Sequence, residues 1–354
     1  MLSITYMIQT MKYKLLSVNK DTLSTINIGD YIQALAALQY LPSFDGFVNR
    51  EELSQYDGDE CIVIMNGWFM HSPDNWPPSK KIHPFFVSFH INWNVLSGML
   101  TDSGIEYLKK NAPIGCRDLY TYNVLKEKGI ESNFTGCLTL TLGNKYMLEE
   151  RKNTIFFVDP YISNSCTLWN KIKNLIILFS HPFIVYGISR KNIIVESSNS
   201  FIYRIAKSSQ FFRLYSKVLS KDCFLNATYI THESTIYKPM SDDRRLYEAE
   251  MLVRMYAKAK FVVTSRLHCA LPCLGLQTPV FFTMRDSGGN KNDCRYGGLT
   301  VLFNKMAISS NNVICRFEVC GKISEKNVVS NPQTYEPLAK ALTIKCTSLI
   351  NSVK

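Results

Sequence analysis

The chain contains no CxxC pair, no uninterrupted apolar run long enough to span a membrane, no internal repeat and no low-complexity tract. Each absence removes a class of protein. The eleven cysteines are odd in number, and their closest spacings are Cys269/Cys273 and Cys315/Cys320. Zinc sites use tighter pairs with histidines at matching intervals, so no metal site and no cofactor are expected; the cysteines read as reduced, mostly buried small hydrophobes. The most apolar run, Leu175–Ile188, is short and broken by Ser180, His181 and Pro182. The first residues, MLSITYMIQTMKYK, lack the basic start, apolar middle and cleavage site of a signal peptide, which gives a cytoplasmic expectation. No dense Lys/Arg run with interleaved aromatics follows a nucleic-acid motif, so nucleic acid is not an expected partner.

What is present is a 354-residue chain, 46% apolar and 19% charged, long enough for two folded domains. Its net charge of +11 permits an anionic partner: a small molecule, or an anionic inner-membrane face touched peripherally. Short apolar strand-like runs alternate with helical patterns, the signature of βαβ units. Strands are expected at Tyr13–Asn19, Cys61–Asn66, Pro84–Phe89, Ser132–Leu142, Thr154–Asp159, Phe261–Thr264 and Pro279–Thr283. Helices are expected at Asp30–Tyr40, with Asp30 as N-cap and Gln33 as its box partner, at Leu119–Lys128 ending on Gly129, at Ser241–Ala259, and in the tail Tyr335–Val353. The polar turn at Glu149–Asn153 marks the boundary between halves. The expected organisation is an α/β chain of two Rossmann-like domains, 1–150 and 151–305, with an interdomain cleft and a C-terminal tail, 306–354, whose helix packs back on the first.

In such sheets ligands sit where strands end and helices begin. The segment TSRLHCALPCLGL, Thr264–Leu276, puts Ser265 in a capping position and Arg266 and His268 in the first turn of an apolar helix. Free N–H groups, the helix dipole and a guanidinium fork would all suit an anion there. A rim arginine beside a hydrogen-bonded core histidine is the plainer alternative. Arg117, in PIGCRD, stands at a second junction, where it either pairs with Asp118 or grips the same anion from across the cleft. Asn27 and Asp30 around Gly29 either cap a helix or bind hydroxyls; Asn66, in NGW, either makes a turn or joins Trp68 in holding a sugar ring. His90 and His232 lie at strand ends, where a structural role competes with ligand binding. Arg295 sits in the Gly-rich segment Arg285–Gly298, a lid or merely a surface loop. Arg204–Phe224 has a basic amphipathic pattern that suits an anionic bilayer or a solvated helix face.

These segments, NIGDYIQALAAL (Asn27–Leu38), NGW (Asn66–Trp68), PIGCRDLYT (Pro113–Thr121), GCLTLTL (Gly136–Leu142) and VTSRLHCALPCLGLQTP (Val263–Pro279), resemble in order and content the polysaccharide pyruvyl transferase family of bacterial capsule and exopolysaccharide clusters. The resemblance implies a fold like the two-domain GT-B glycosyltransferases. It implies a phosphoenolpyruvate donor and transfer of pyruvate to two hydroxyls of a sugar or lipid-linked oligosaccharide as a cyclic ketal. By motif, it implies that Arg266, His268 and Arg117 hold and activate the donor. A histidine titrating near neutrality suits proton transfer in that chemistry, so His268 is expected either to carry the proton or only to hold the donor. A GT-B glycosyltransferase with a nucleotide-sugar donor, and a non-catalytic protein binding glycan precursors, are the competing readings.

Overall fold

The structure is a computed structural model that describes residues 11–18, 23–163, 167–191, 200–286 and 291–351, the side chains of 291–293 excepted. The expected strand at Tyr13–Asn19 forms as Lys12–Ser17, and Asn19 lies outside the described residues.

Two four-stranded parallel sheets build the first half. One runs Phe47–Asn49, Lys12–Ser17, Cys61–Ile64, Ile82–Phe85; the other runs Gly67–Phe69, Phe89–Ile91, Ile114–Cys116, Ser132–Phe134. Two strand paths pass through both, because Cys61–Ile64 resumes as Gly67–Phe69 and Ile82–Phe85 resumes as Phe89–Ile91. The breaks fall at Gly67 (φ +124°) and Ser88 (φ +60°), left-handed conformations that a continuous strand does not hold. Backbone bonds from Met65 to Phe85 (2.8 Å), Gly67 to Ser88 (3.1 Å) and Gly115 to Phe86 (3.0 Å) cross the break. The expected strand Pro84–Phe89 is therefore two shorter ones. Numbered along the chain, the six strand paths lie in the order 2-1-3-4-5-6.

The second half repeats that order. Its sheet runs Thr228–Ile230, Ile155–Val158, Phe261–Thr264, Val280–Arg285, Asn304–Ile308, Val313–Cys315, parallel except for the last pair. Its central strands are apolar on both faces and fully buried, as a covered parallel sheet requires. The molecule is thus a mixed α/β protein with several parallel sheets, in keeping with the Rossmann-like expectation.

The halves are joined by packing and by backbone. The Ala-rich helix Ile28–Leu38 lies against helix Asp242–Ala257, and Arg245 Nη1 donates to Tyr31 Oη across that contact at 3.0 Å. Ile26–Asn27 and Glu233–Ser234 form a two-residue antiparallel pair. Helix Leu267–Gly275 packs on the turn Leu138–Leu142 so closely that a Cβ on Gly275 would sit 2.1 Å from the Leu140 carbonyl oxygen. One apolar cluster runs unbroken from Leu15 through Leu140 and Leu271 to Cys346. The tail helix, Glu336–Asn351, lies on the same turn, and Asn144 Nδ2 donates to Thr343 Oγ1 at 3.0 Å.

Three local expectations are corrected. Helix Ile28–Leu38 starts earlier than Asp30: Asn27 is its N-cap, accepting from Gly29 N at 2.9 Å, while Gln33 Nε2 donates to Asp30 Oδ1 at 3.1 Å inside the helix. Ser132–Leu142 is not one strand. The strand stops at Phe134, Gly136 turns with φ +72°, and Leu138–Leu142 coils into a buried 3-10 turn that supports both later helices. Arg204–Phe224 is not one amphipathic helix: it splits into Phe201–Tyr215 and Asp222–Asn226, and Phe211, Phe212, Tyr215, Leu219 and Phe224 belong to the core of the second half.

Candidate active site

In the second half the order of strands reverses between Ile155–Val158 and Phe261–Thr264, and the carboxyl ends of these two strands open a crevice. Asp159 ends the first strand and Arg266 follows the second. Asp159 takes a left-handed backbone (φ +42°), uncommon outside glycine, and its carboxylate is fastened there. Its Oδ2 accepts from Arg266 Nε at 2.8 Å and from the His232 backbone N–H at 2.9 Å. Arg266 Nη1 also reaches Glu233 Oε2 at 3.2 Å. Burial would lower the pKa of Arg266, but the carboxylates of Asp159 and Glu233 outweigh it and raise it.

A cavity of about 440 Å³ lies over this crevice. It gathers four arginines (Arg50, Arg117, Arg266, Arg295) and four histidines (His71, His90, His232, His268), against the carboxylates of Asp30 and Glu233. Such an excess of positive charge in a concave site favours an anion. Asn27, Ser265 and the aromatic Trp68, Trp93 and Tyr296 complete its wall.

The four arginines are not equivalent. Arg50 lies 3.5 Å from Asp30, bonds Glu51 at 3.2 Å and stacks its guanidinium on Trp68, 5.3 Å from the ring centre. Arg266 is neutralised as described. Arg295, itself exposed on the turn Lys291–Tyr296, bonds only the Tyr296 hydroxyl among the contacts described. Arg117 is 1% exposed, yet its Nε donates to nothing and approaches Asp118 Oδ2 only to 3.6 Å. Burial lowers the pKa of Arg117, with Asp118 opposing. A buried guanidinium left short of partners is costly unless a ligand completes it.

Asp118 explains part of this arrangement. It caps helix Leu119–Glu127 as expected, its Oδ1 accepting from Thr121 N at 2.9 Å, and its Oδ2 lies 2.6 Å from His90 Nδ1. Burial raises the Asp118 carboxyl, but His90 and Arg117 reverse this and hold it below the ordinary range. His90 itself is pushed down to about 4, by burial first and then by Arg117. His90 Nδ1 also lies 3.2 Å from Thr121 Oγ1, and a neutral His90 with its proton on Nδ1, facing Asp118 and Thr121, keeps a lone pair on Nε2.

His268 stands in the first turn of helix Leu267–Gly275 with Nε2 sealed from solvent and unpartnered. It does not titrate near neutrality as expected: burial, then Arg117, His232, Arg295 and Arg50, push its pKa well below the usual value. Its position is fixed from the first half. A Cβ on Gly29 would lie 2.9 Å from Asn27 Oδ1, 3.1 Å from His268 Cβ and 3.2 Å from its Nδ1, so glycine gives the two helix starts the room to meet. His232 is fully buried and pushed down to about 3, by burial and then by Arg266; its Nε2 is 2.7 Å from the Tyr256 hydroxyl and its Nδ1 has no partner.

Of the residues singled out in the sequence, nine polar ones line the cavity, Arg266, His268, Arg117, Asn27, Asp30, His90, His232, Ser265 and Arg295, and so does Trp68. Asn66 does not. It is buried beneath helix Ile28–Leu38, where Nδ2 donates to the Gln33 carbonyl at 2.8 Å. Ser265 is no helix cap, since its Oγ donates to the Asp159 carbonyl at 2.6 Å and Arg266 occupies the N-cap position. Arg50, His71, Trp93 and Glu233 went unnoticed in the sequence. Arg50 sits in an ordinary charged run, NREE, whose one signal was its position directly after the strand Phe47–Asn49. Glu233 was adjacent to the noticed His232.

The family model described as polysaccharide pyruvyl transferase matches residues 27–287. That span includes all nine cavity residues named above but Arg295. No curated protein matches the chain. Among solved structures, the chain is similar to a functionally uncharacterized protein of Klebsiella pneumoniae subsp. pneumoniae, at 14% identity over 81% of this chain and 87% of that one, with a TM-score of 0.39.

Proposed function

The chain belongs to the polysaccharide pyruvyl transferase family, and on that premise we propose that it transfers pyruvate from phosphoenolpyruvate to two hydroxyls of one sugar as a cyclic ketal. The observation that carries this reading is the pair of incomplete groups in one basic cavity: the buried guanidinium of Arg117 and the sealed Nε2 of His268. Phosphoenolpyruvate presents a phosphate and a carboxylate a few ångströms apart, and guanidinium forks suit both. Arg117, whose contact with Asp118 is long at 3.6 Å, and Arg295, which meets no carboxylate among the contacts described, take the donor anions. Arg266, already paired, positions the crevice and completes one face of it.

The low pKa of His268 suits the chemistry. Burial lowers it first and the neighbouring arginines add to this; a bound polyanion that neutralises them offsets the arginines' part. On this reading His268 gains its proton as the donor binds. Imidazolium delivers that proton to C3 of the enol, C2 becomes electrophilic, and the first sugar hydroxyl adds there while its proton returns to a histidine. The second hydroxyl then closes the ring as the C2–O bond to phosphate breaks, and its proton leaves on the phosphate. One hydroxyl proton ends on the new methyl group and one on phosphate, so the balance closes without a cofactor. His90, with Asp118 fixing its tautomer, is the second proton acceptor beside the acceptor hydroxyls.

We read residues 1–150 as the acceptor side and 151–305 as the donor side of a GT-B-like enzyme, working in the cytoplasm on a capsule or exopolysaccharide precursor. The test is thermal stabilisation by phosphoenolpyruvate against a panel of nucleotide sugars, followed by phosphate release with candidate acceptors. A shift with nucleotide sugars and none with phosphoenolpyruvate overturns the reading in favour of a glycosyltransferase. Glycan binding with no phosphate release from any donor makes the protein a non-catalytic binder.

A further inference from the structure

Helix Leu168–Ser180 is built inside out. Its buried residues are Asn170 and Asn174, while Leu168, Trp169, Ile176 and Phe179 face solvent. Asn174 Oδ1 accepts from the buried Arg213 Nε at 2.7 Å, so the polar face is the one fastened to the protein. The helices Pro182–Ser189 and Phe201–Tyr215 pack beside it and continue the apolar surface. Phe179, Phe183 and Ile202 are each at least 80% exposed. A soluble protein seldom leaves so many large apolar side chains together in water, and among the described residues no element covers them.

The charge around this surface says what covers it. Residues 161–221 hold nine lysines and arginines, of which only Arg213 is described as buried, and a single acidic residue, Glu196, a net +8 of the chain's +11. Exposed aromatics carry cations over their rings: Lys173 over Trp169 (6.0 Å), Arg190 over Tyr186 (5.7 Å) and Lys207 over Tyr203 (5.6 Å). Apolar tips, aromatic rings and cations together are the composition of a surface that sits at the headgroup boundary of an anionic bilayer. A second copy is a poor partner, because a two-fold contact would bring two such positive faces together.

We propose that the helices Leu168–Ser180, Pro182–Ser189 and the start of Phe201–Tyr215 form a monotopic docking surface for an anionic lipid bilayer. The surface lies on the membrane and does not cross it. The first helix has 13 residues, about 20 Å of the ~30 Å an apolar core requires, and the next turns away from it by 105°. The bilayer contact foreseen at Arg204–Phe224 thus moves to the segment before it, since most of that stretch is core. Docking needs neither donor nor acceptor, so it stands or falls apart from the transferase reading.

The experiment is sedimentation of the full chain with vesicles of phosphatidylcholine, with and without about one-third phosphatidylglycerol. Wild-type protein sediments with the anionic vesicles, and high salt weakens this. The variant Phe179→Ser/Phe183→Ser/Ile202→Ser lowers the partition coefficient by more than about tenfold. Its far-UV spectrum and melting temperature stay at the wild-type values, because none of the three side chains is core. Three results overturn the proposal. One is no sedimentation of wild type with anionic vesicles. Another is salt-sensitive binding that the triple variant leaves intact, which is mere adsorption of a basic protein. The last is a dimer that the triple variant dissociates.

Discussion

Arg117 and Arg266 both follow a buried parallel strand and both stand at the head of a helix, yet they occupy unlike positions. Arg266 follows the third strand of its half, at the point where strand order reverses; Arg117 follows the fifth of its own. Arg266 spends its charge on Asp159 and Glu233, while Arg117 is deeper and has almost no partner. The lesson is that two arginines with the same sequence signature end in unlike surroundings: one holds the protein's own carboxylates in place, the other is left short of partners in the cavity wall.

That contrast is broken or sharpened first by removing each guanidinium. Arg117→Ala is expected to lower kcat/KM for phosphoenolpyruvate by about a thousandfold, the loss of a desolvated charge-assisted contact, with little change in melting temperature. If Arg117→Ala sharply lowers the melting temperature, or if donor binding survives it, the proposed division of roles is wrong. His268→Asn should cost about a hundredfold or more in turnover while leaving the affinity for phosphoenolpyruvate, measured by calorimetry, near wild type. Arg266→Ala acts on the fold: it strands Asp159, whose side chain is 5% exposed, and should lower stability in denaturant titrations by about 3 kcal/mol. Asp159→Asn in the same chain should recover most of that loss.

The histidines give a smaller and graded test. His90 and His232 are held to about 4 and about 3 in the folded protein, below the ordinary value near 6.5 of the unfolded chain. As pH falls below ~6.5 the unfolded state takes up protons first, so stability is lost at about 1.4 kcal/mol per pH unit for each, down to the folded values. Denaturant titrations at descending pH read this slope directly, and a flat profile contradicts the buried neutral histidines. The smallest effect is geometric. Gly29→Ala leaves every charge in place but crowds His268, and should reduce turnover by about tenfold through misplacement alone.

Much of this was legible beforehand where one cause acts locally. Strands Ile155–Val158 and Phe261–Thr264, helix Asp242–Ala257 with its Ser241 cap, and the Asp118 cap all follow from short-range pattern. What stayed hidden depends on partners distant in sequence. Arg50 matters only because helix Ile28–Leu38 brings Asp30 beside it and a second strand path brings Trp68. Asn66 looked like a ligand because a strand end precedes it, but the Gln33 carbonyl lies in the way. The apolar pattern of GCLTLTL suggested a strand, and the turn at Gly136 together with packing from helix Leu267–Gly275 decided otherwise. The depressed pKa of His268 needed burial first and then charges from distant segments, Arg117, Arg295 and Arg50 among them, which no local window contains.

The two-residue pair of Ile26–Asn27 with Glu233–Ser234 also governs when this protein can become active during its synthesis. The pair closes a loop of some two hundred residues, and Thr25 Oγ1 bonds Glu233 Oε1 across 208 positions. His268 takes its place against Gly29 later still. A nascent chain that has emerged only as far as the first half therefore carries Arg117 and His90 without the wall they face. Contacts of such long range form slowly and late, so a ligand of this cavity cannot act as a template for the early chain. It can stabilise only a molecule in which residues 25–29 have already found partners made long after them.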